Sequence, residues 1–179
     1  RPDCLSCHGA LHAMAPASDE ASLVHPKRLA ATCGKCHADP ELGAQAGVKL
    51  VQPLAAYEAS VHAGGVARGE HAATCSDCHG SHGILPAENA QSQVNRKNVP
   101  ATCAACHAEV SKAYGESVHG VAAAAGIGES PVCTDCHGEH RILGPGDKGS
   151  PVYASNVPKM TCGRCHGDLR VTEKFGLKN

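Results

Sequence analysis

The sequence predicts a mostly irregular chain with short α-helices and little or no β-sheet. Eleven prolines and twenty glycines in 179 residues interrupt any long periodic pattern. No alternating apolar and polar run typical of strands is present. With no Trp, one Phe and three Tyr, the chain also lacks the bulky side chains that normally fill an interior. We therefore expect the core to consist of something other than side chains.

The most specific pattern is a Cys-x-x-Cys pair followed at once by His, which occurs six times and uses all 12 cysteines. In chain order, these motifs 1 to 6 are Cys4/Cys7/His8, Cys33/Cys36/His37, Cys75/Cys78/His79, Cys103/Cys106/His107, Cys133/Cys136/His137 and Cys162/Cys165/His166. This is the attachment signature of c-type haem, because two cysteines anchor the porphyrin and the adjacent imidazole reaches the iron. We predict six covalent haem c groups, each with its motif His as the proximal iron ligand.

Zinc sites, redox dithiols and disulfide frameworks also use Cys-x-x-Cys. A zinc ribbon has no reason to place His directly after the second Cys, and a thioredoxin-like dithiol would occur once, on a βαβ pattern. With 13 His in the chain, six such placements by chance have a probability on the order of one in ten million. Haem attachment is the favoured interpretation over zinc or disulfides.

Six haems leave about 30 residues for each macrocycle, too few to bury each one in its own hydrophobic domain. The haems are therefore expected to stack against one another under a thin wrap of polypeptide. Ala and Gly suit such a wrap, because they let backbone approach the flat porphyrin faces.

An internal repeat divides the chain. The segment from Tyr57 to His62 recurs from Tyr114 to His119, and each copy is followed by two motifs. We predict a single domain over 1–179, built of two-haem units at about 1–52, 53–112 and 113–179. The first unit lacks the Tyr-x-x-Ser-Val-His segment.

Helices are expected at about 53–62, 101–119 and 159–170, each starting near a proline. A Cys-x-x-Cys-His motif on a helical turn would present both sulfurs and the imidazole to one side of the porphyrin.

Each iron has a second axial position, and the motif His fills only the first. Seven histidines remain for six positions, and an iron with both positions filled transfers electrons, whereas an open iron binds small ligands. His82 and His140 follow a motif His by three residues, so each should ligate the iron of a neighbouring haem. The predicted distal ligands are His12, His25, His62, His82, His119 and His140, and the role of His71 is left open.

Other side chains near the motifs are weaker candidates. Tyr57 and Tyr114 are candidates for bonding a propionate or packing on a porphyrin edge. Lys35, Arg141 and Arg164 are candidates for pairing with propionates, although solvation is the commoner fate of such surface charges.

The formal net charge of -1 omits the haems. With ionised propionates, the holoprotein would carry about −7 when oxidised and about −13 when reduced. Such an acidic protein is not expected to bind nucleic acid and favours partners with basic patches.

Thioether attachment of haem takes place on the outer side of the energy-transducing membrane. We expect an exported protein, periplasmic or extracellular, from which a secretory signal has been removed. No apolar run of 18 or more residues is present in the sequence.

The repeated Tyr-x-x-Ser-Val-His and Cys-x-x-Cys-His-Gly-x-His segments resemble multihaem c-type cytochromes of respiratory bacteria, particularly metal- and sulfate-reducing lineages. The resemblance implies that His62 and His119 are distal ligands and that haems stack alternately parallel and T-shaped. Some relatives polymerise into extracellular filaments, in which a His of one subunit can ligate a haem of the next.

The predicted function is electron transfer through six closely packed bis-His haems, without catalysis. Expected partners are redox proteins, including other haem proteins or a quinol-oxidising membrane complex, and self-association into a filament is possible. Alternatives are a subunit of such a filament or of a larger membrane redox complex. A multihaem reductase is less expected, because such enzymes often have Lys in place of one motif His, and all six motifs here end in His.

Overall fold

The computed structural model describes residues 2–45 and 52–177, and its regular structure there is entirely helical. The predicted fold class, short helices in a mostly irregular chain, is confirmed. The α-helices are α1 Cys4–His8, α2 Pro26–His37, α3 Pro40–Gln45, α4 Pro53–Glu58, α5 Val61–Ala67, α6 Cys75–His79, α7 Val99–Ala104, α8 Ala108–Glu116, α9 Val118–Ala124, α10 Cys133–His137, α11 Gly163–His166 and α12 Leu169–Phe175. A 3-10 turn spans Leu11–Ala13 and a π-helical segment spans Val157–Cys162. None of the described helices has the length and apolar character that a membrane crossing needs.

The three predicted helices exist but are interrupted. The first, predicted at 53–62, is divided into α4 and α5, because the hydroxyl of Ser60 accepts a hydrogen bond from the Ala63 amide at 3.1 Å and caps a new helix. Ser is a strong N-cap residue, so it starts a helix more readily than it continues one.

The second predicted helix, 101–119, is divided twice. Helix α7 ends at Ala104, inside motif 4, and α8 ends at Glu116. Ser117 then caps α9 by accepting from the Gly120 amide at 3.1 Å. The third, 159–170, is a π-helical segment followed by α11 and α12, and Asp168 caps α12 through the Arg170 amide at 2.9 Å.

The chain forms two compact bodies, Arg1–Asp77 and Cys78–Asn179. In the N-terminal body α4 packs against α2 at Gly34, where an added Cβ would lie 2.5 Å from Cδ2 of Leu54. In the C-terminal body α7 contacts α8 and α10, and α8 contacts α9. The division into two-haem units stays a prediction.

The two motifs of each pair are connected by a turn segment, at residues 16–28, 86–98 and 144–156. In the third segment, four amides each donate to the carbonyl three residues earlier, at 2.7 to 3.1 Å. These are the amides of Asp147, Ser150, Tyr153 and Asn156. The corresponding amides of the first two segments make the same bonds, at Asp19, Ser22, His25 and Arg28, and at Asn89, Ser92, Asn95 and Asn98. The same series of turns, with a hydrogen bond every three residues, therefore occurs in all three segments, including that of the first repeat unit.

One buried serine hydroxyl ties each turn segment to the residue just before it. The donor–acceptor pairs are Ser22 to Ala15 at 3.0 Å, Ser92 to Leu85 at 3.0 Å and Ser150 to Leu143 at 3.2 Å. A threonine hydroxyl repeats as well, from Thr32 to Leu23, Thr102 to Gln93 and Thr161 to Pro151, each at 2.7 Å. Small hydroxyls thus take over part of the role of a side-chain core.

Apolar burial is sparse. Among the described residues, four hydrophobic side chains are buried, namely Val66, Val99, Val132 and Leu143, against eight buried Ser or Thr. The accessible surface is 12169 Å² for 18.3 kDa. A folded chain of that mass exposes about 8,100 Å², and two separate halves would expose about 9,800 Å². The polypeptide alone has too little packed interior for its size, as the composition predicts.

Candidate haem sites

Four of the six motifs lie wholly within α-helix: motifs 1, 3 and 5 form α1, α6 and α10, and motif 2 forms the last turn of α2. Residues at i, i+3 and i+4 share one helix face. Both cysteines and the histidine of these motifs therefore point to the same side, as attachment to one porphyrin requires.

Motif 4 departs from the predicted helix. Cys106 lies in the turn after α7, and His107 is the residue before α8, with φ −110° and ψ 48°. The helix predicted over 101–119 is therefore wrong at these two residues, because the His107 carbonyl accepts from the Ser111 amide at 2.9 Å and starts a new helix. The amide of His107 still donates to the Cys103 carbonyl at 2.9 Å, so one closed turn spans the motif.

Motif 6 is divided between two elements. Cys162 ends the π-helical segment, whereas Cys165 and His166 lie in α11. The Gly163 amide between them donates to the Pro158 carbonyl five residues earlier, which is the wider turn of a π-helix. The helical turn predicted for each motif is thus confirmed in motifs 1, 2, 3 and 5 and modified in motifs 4 and 6.

The second cysteines of the motifs differ in exposure. Three are exposed, namely Cys7, Cys36 and Cys106, and three are half-buried, namely Cys78, Cys136 and Cys165. No disulfide joins any of the cysteines that the structure describes. Within residues 2–45 and 52–177, no three side chains of His, Cys, Asp or Glu converge on a position that could hold a metal ion. Attachment of haem at all twelve cysteines and ligation of iron by all six motif histidines stay predictions.

A glycine follows the His of motifs 1, 3 and 5 and has a positive φ. The angles are 80° at Gly9, 77° at Gly80 and 81° at Gly138. This left-handed region is open to Gly and strained for other residues. The helix therefore stops at the motif His, and the chain changes direction before the next histidine.

The variable positions of the motifs also have a structural role. In motif 3, Oδ2 of Asp77 accepts from the Thr74 amide at 2.7 Å, and in motif 5, Oδ2 of Asp135 accepts from the Val132 amide at 2.7 Å. Each carboxylate binds a backbone amide at the start of its own motif helix, where the helix dipole favours negative charge.

The Tyr-x-x-Ser-Val-His segments are tied through their tyrosines to the residues just before a motif. The Tyr57 hydroxyl donates to the carbonyl of Ala73, and the Tyr114 hydroxyl to that of Pro131, both at 2.9 Å and both two residues before a first motif cysteine. Because Ser60 and Ser117 cap α5 and α9, the histidine that follows is the second residue of each helix. Each hydroxyl therefore fixes its tyrosine to the backbone just before a motif, and the expected propionate or porphyrin contact of the two tyrosines stays a prediction.

Two pairs of imidazole rings lie close to each other in the C-terminal body. The ring centroids of His79 and His140 are 5.9 Å apart with planes 10° apart, and those of His119 and His166 are 6.1 Å apart with planes at 51°. Each pair joins the His of a motif to a histidine predicted as distal.

The spacing of these pairs fits a shared metal ion. With metal–nitrogen bonds of about 2.0 Å and a ring centre about 1.2 Å behind each nitrogen, two imidazoles on opposite sides of one ion have centroids about 6.4 Å apart. The separation of the two imidazoles in each pair is therefore close to that of two axial imidazoles on one haem iron.

The other predicted distal histidines lie as follows. His12 is exposed on the 3-10 turn, His62 is half-buried on α5, and His82 is exposed just after α6. His71 is exposed between α5 and α6, and His25 is half-buried at the start of α2. Their assignment as iron ligands stays a prediction.

In two pairs of successive motifs, the first cysteines lie side by side. A hydrogen bond with the Cys75 thiol lowers the pKa of Cys33 to about 7, and a hydrogen bond with the Cys103 thiol lowers the pKa of Cys133 to about 7. The contact between α7 and α10 agrees with the second pair. Motifs 2 and 3, and motifs 4 and 5, therefore present attachment sulfurs side by side.

An arginine cluster behind motif 5 was missed from the sequence. Arg96 forms an ion pair with Oδ2 of Asp135 at 2.8 Å and donates to the Ser130 carbonyl at 2.7 Å, while Arg164 donates to the Asp135 carbonyl at 2.7 Å. The shared Asp in motifs 3 and 5 was the available signal. Arg164, a candidate for pairing with a propionate, donates to backbone here, and its propionate contact stays a prediction. A cavity of about 530 Å³ lies beside this cluster.

Comparison with known proteins identifies one part of the chain. Residues 64–112, which contain motifs 3 and 4, match the family described as Doubled CXXCH motif. No curated protein and no solved structure gives a significant match. The match supports a c-type cytochrome-like character for this part of the chain, with covalent attachment of haem c at its motifs.

Proposed function

We propose that this protein conducts electrons through six covalently attached haems, each held between two imidazoles. The observation that carries the proposal is the spacing of His79 with His140 and of His119 with His166, at 5.9 and 6.1 Å. Bound haem supplies reversible one-electron chemistry at iron, and axial imidazole on both faces leaves no position for a substrate.

The two pairs support one distal ligand each. His140 serves the haem attached at Cys75 and Cys78, opposite His79, and so lies 61 positions along the chain from its partner. His119 serves the haem of motif 6, opposite His166. Ligation between distant segments crosslinks the C-terminal body, which supports a fold held by metal bonds where apolar packing is sparse.

The sulfur contacts support a continuous path. Cys33 lies beside Cys75, and Cys103 beside Cys133, so attachment sites 2 and 3, and 4 and 5, adjoin at their thioether edges. Both contacts join a motif of one repeat unit to a motif of the next. Electrons would therefore pass between repeat units through adjoining porphyrin edges.

The setting proposed for this conduit is the periplasm or the extracellular space, where haem is attached to exported chains. The negative charge of the loaded protein favours redox partners with basic surfaces, such as other haem proteins or a quinol-oxidising complex. Assembly into a filament is compatible with the same haem path.

Carbon monoxide titration of the ferrous protein tests the proposal. The native protein should bind no CO. His140→Ala and His119→Ala should each retain six haems and bind one CO per molecule, about one sixth of the haem, because one iron loses an axial ligand.

A further variant tests which iron is opened. Adding His140→Ala to a protein that lacks the motif 3 haem, through Cys75→Ala and Cys78→Ala, should give five haems and no CO binding. Retained CO binding would mean that His140 serves another haem, and CO binding by the native protein would mean that an iron is open.

A further inference from the structure

The proposed function needs six distal ligands, and the chain has seven histidines outside the motifs, so one of them is not needed as a ligand. Sequence alone favours His25 over His71 for the last position. The local structure around these two residues reverses that choice.

His25 is the N-cap residue of α2. Its Nδ1 accepts a hydrogen bond from the Lys27 amide at 3.3 Å, and Pro26 follows as the first helical residue. An N-cap side chain satisfies one of the backbone amides that a helix start leaves without an internal partner. The half-buried imidazole of His25 is thus engaged in holding the start of the helix that carries motif 2.

This hydrogen bond has the wrong direction for an iron ligand. In a neutral imidazole one nitrogen donates and the other accepts, so an accepting Nδ1 leaves the proton on Nε2. A metal-bound histidine does the opposite: one nitrogen binds the metal and the other donates its N–H to an acceptor. In its capping form, His25 has no lone pair to offer iron.

The second turn segment makes the same local side-chain bond at the matching position. The second turn segment has Asn95 in place of His25, and its Oδ1 accepts from the Lys97 amide at 3.2 Å, the same bond two residues onward. The backbone carbonyls of His25, Asn95 and Tyr153 each accept from the amides three and four residues later. The amide side chain of Asn95 therefore makes the same local bond as His25, although the helix that follows, α7, has Asn98, three residues later, as its N-cap.

His71 lies in a different setting. It is exposed, and within the described residues its imidazole makes no hydrogen bond or ion pair. The corner before it is fixed by Gly69 at φ 79° and by the Glu70 amide, which donates to the Gly65 carbonyl at 3.0 Å. His71 is also in the same compact body as motifs 1 and 2.

We propose, on the basis of the proposed function, that His25 is a helix cap and that His71 supplies the sixth distal ligand. The distal set is then His12, His62, His71, His82, His119 and His140. The seven candidates reduce to the number that six haems require.

Two single variants of the haem-loaded protein test this. His25→Asn keeps a side-chain acceptor for the Lys27 amide, as Asn95 provides for Lys97, and it should retain six low-spin haems with no CO binding by the ferrous protein. His71→Gly should retain six haems and bind one CO per molecule, and added imidazole should restore the low-spin spectrum. A structural role for His71 would not produce the imidazole rescue.

The reverse results would overturn the inference: one CO bound by His25→Asn, or no CO bound by His71→Gly. A second substitution, His25→Leu, should lower the unfolding midpoint through loss of the cap while still binding no CO. Failure of the proposed function is distinguishable, because it would appear in the native protein as fewer than six covalent haems or as CO binding.

Discussion

Replacing Ser150 by Ala tests whether buried hydroxyls hold the turn segments. The Ser150 side chain is fully buried, at 0% exposed, and its Oγ donates to the Leu143 carbonyl at 3.2 Å and accepts from the Val152 amide at 3.3 Å. The substitution removes both bonds and leaves two backbone groups without partners. With about 1 kcal/mol for each bond, the free energy of unfolding should fall by about 2 kcal/mol.

Guanidinium unfolding of the oxidised, haem-loaded protein, followed by far-ultraviolet circular dichroism, measures this loss. For a denaturant dependence of about 4 kcal/mol/M, the midpoint should fall by about 0.5 M. The matched control is Ser155→Ala, in the same segment, where the residue is exposed and no side-chain bond is present among the described residues. If both variants unfold at the same concentration with six haems each, the hydroxyl does not stabilise the segment.

Three further changes follow from the site. Tyr114→Phe removes the bond to the Pro131 carbonyl and should cost about 1 kcal/mol in the same unfolding assay. Tyr153→Phe is its control, and equal midpoints for the two would contradict the anchoring role. Ser117→Ala removes the cap of α9, so hydrogen exchange at the Gly120 amide should accelerate about fivefold. Ser117→Thr should leave that exchange unchanged. Hydrogen bonds and the ion pair with Arg170 lower the pKa of Asp168, so its cap on α12 is complete above the ordinary aspartate pKa of about 3.9 and is lost as pH falls through the lowered value. Exchange of α12 amides should accelerate in that acidic range in the native protein, whereas a flat profile matching Asp168→Asn would refute it.

The sequence predicted the features that follow from local chemistry. Cys-x-x-Cys-His has helical spacing, and motifs 1, 3 and 5 are single helical turns. Proline in the first turn of α4 and α7 located those helices, because its fixed φ suits the first helical turn, where its missing N–H is not needed. The scarcity of bulky side chains correctly indicated sparse apolar burial.

The helix breaks were not predicted, because the prolines near the helix starts indicate where a helix begins and not where it is interrupted. Ser60 and Ser117 interrupt patterns that otherwise look continuous, and each serine starts a helix that carries a histidine. The signal was present as Ser in both copies of the repeated segment.

The turn segments and the imidazole pairs could not be derived from the sequence in the same way. The three-residue rhythm at Asp147, Ser150 and Tyr153 has no hydrophobic period, since it is made of polar and backbone bonds. The pairing of His79 with His140 joins positions far apart in the chain, and spacing along the sequence contains no information on such a contact.

The intact mass of the purified protein under denaturing conditions tests the central claim most directly. Thioether bonds survive denaturation, so the account predicts a single species with the mass of the polypeptide plus six haems. A species with fewer haems, or one that loses haem when it unfolds, would contradict it.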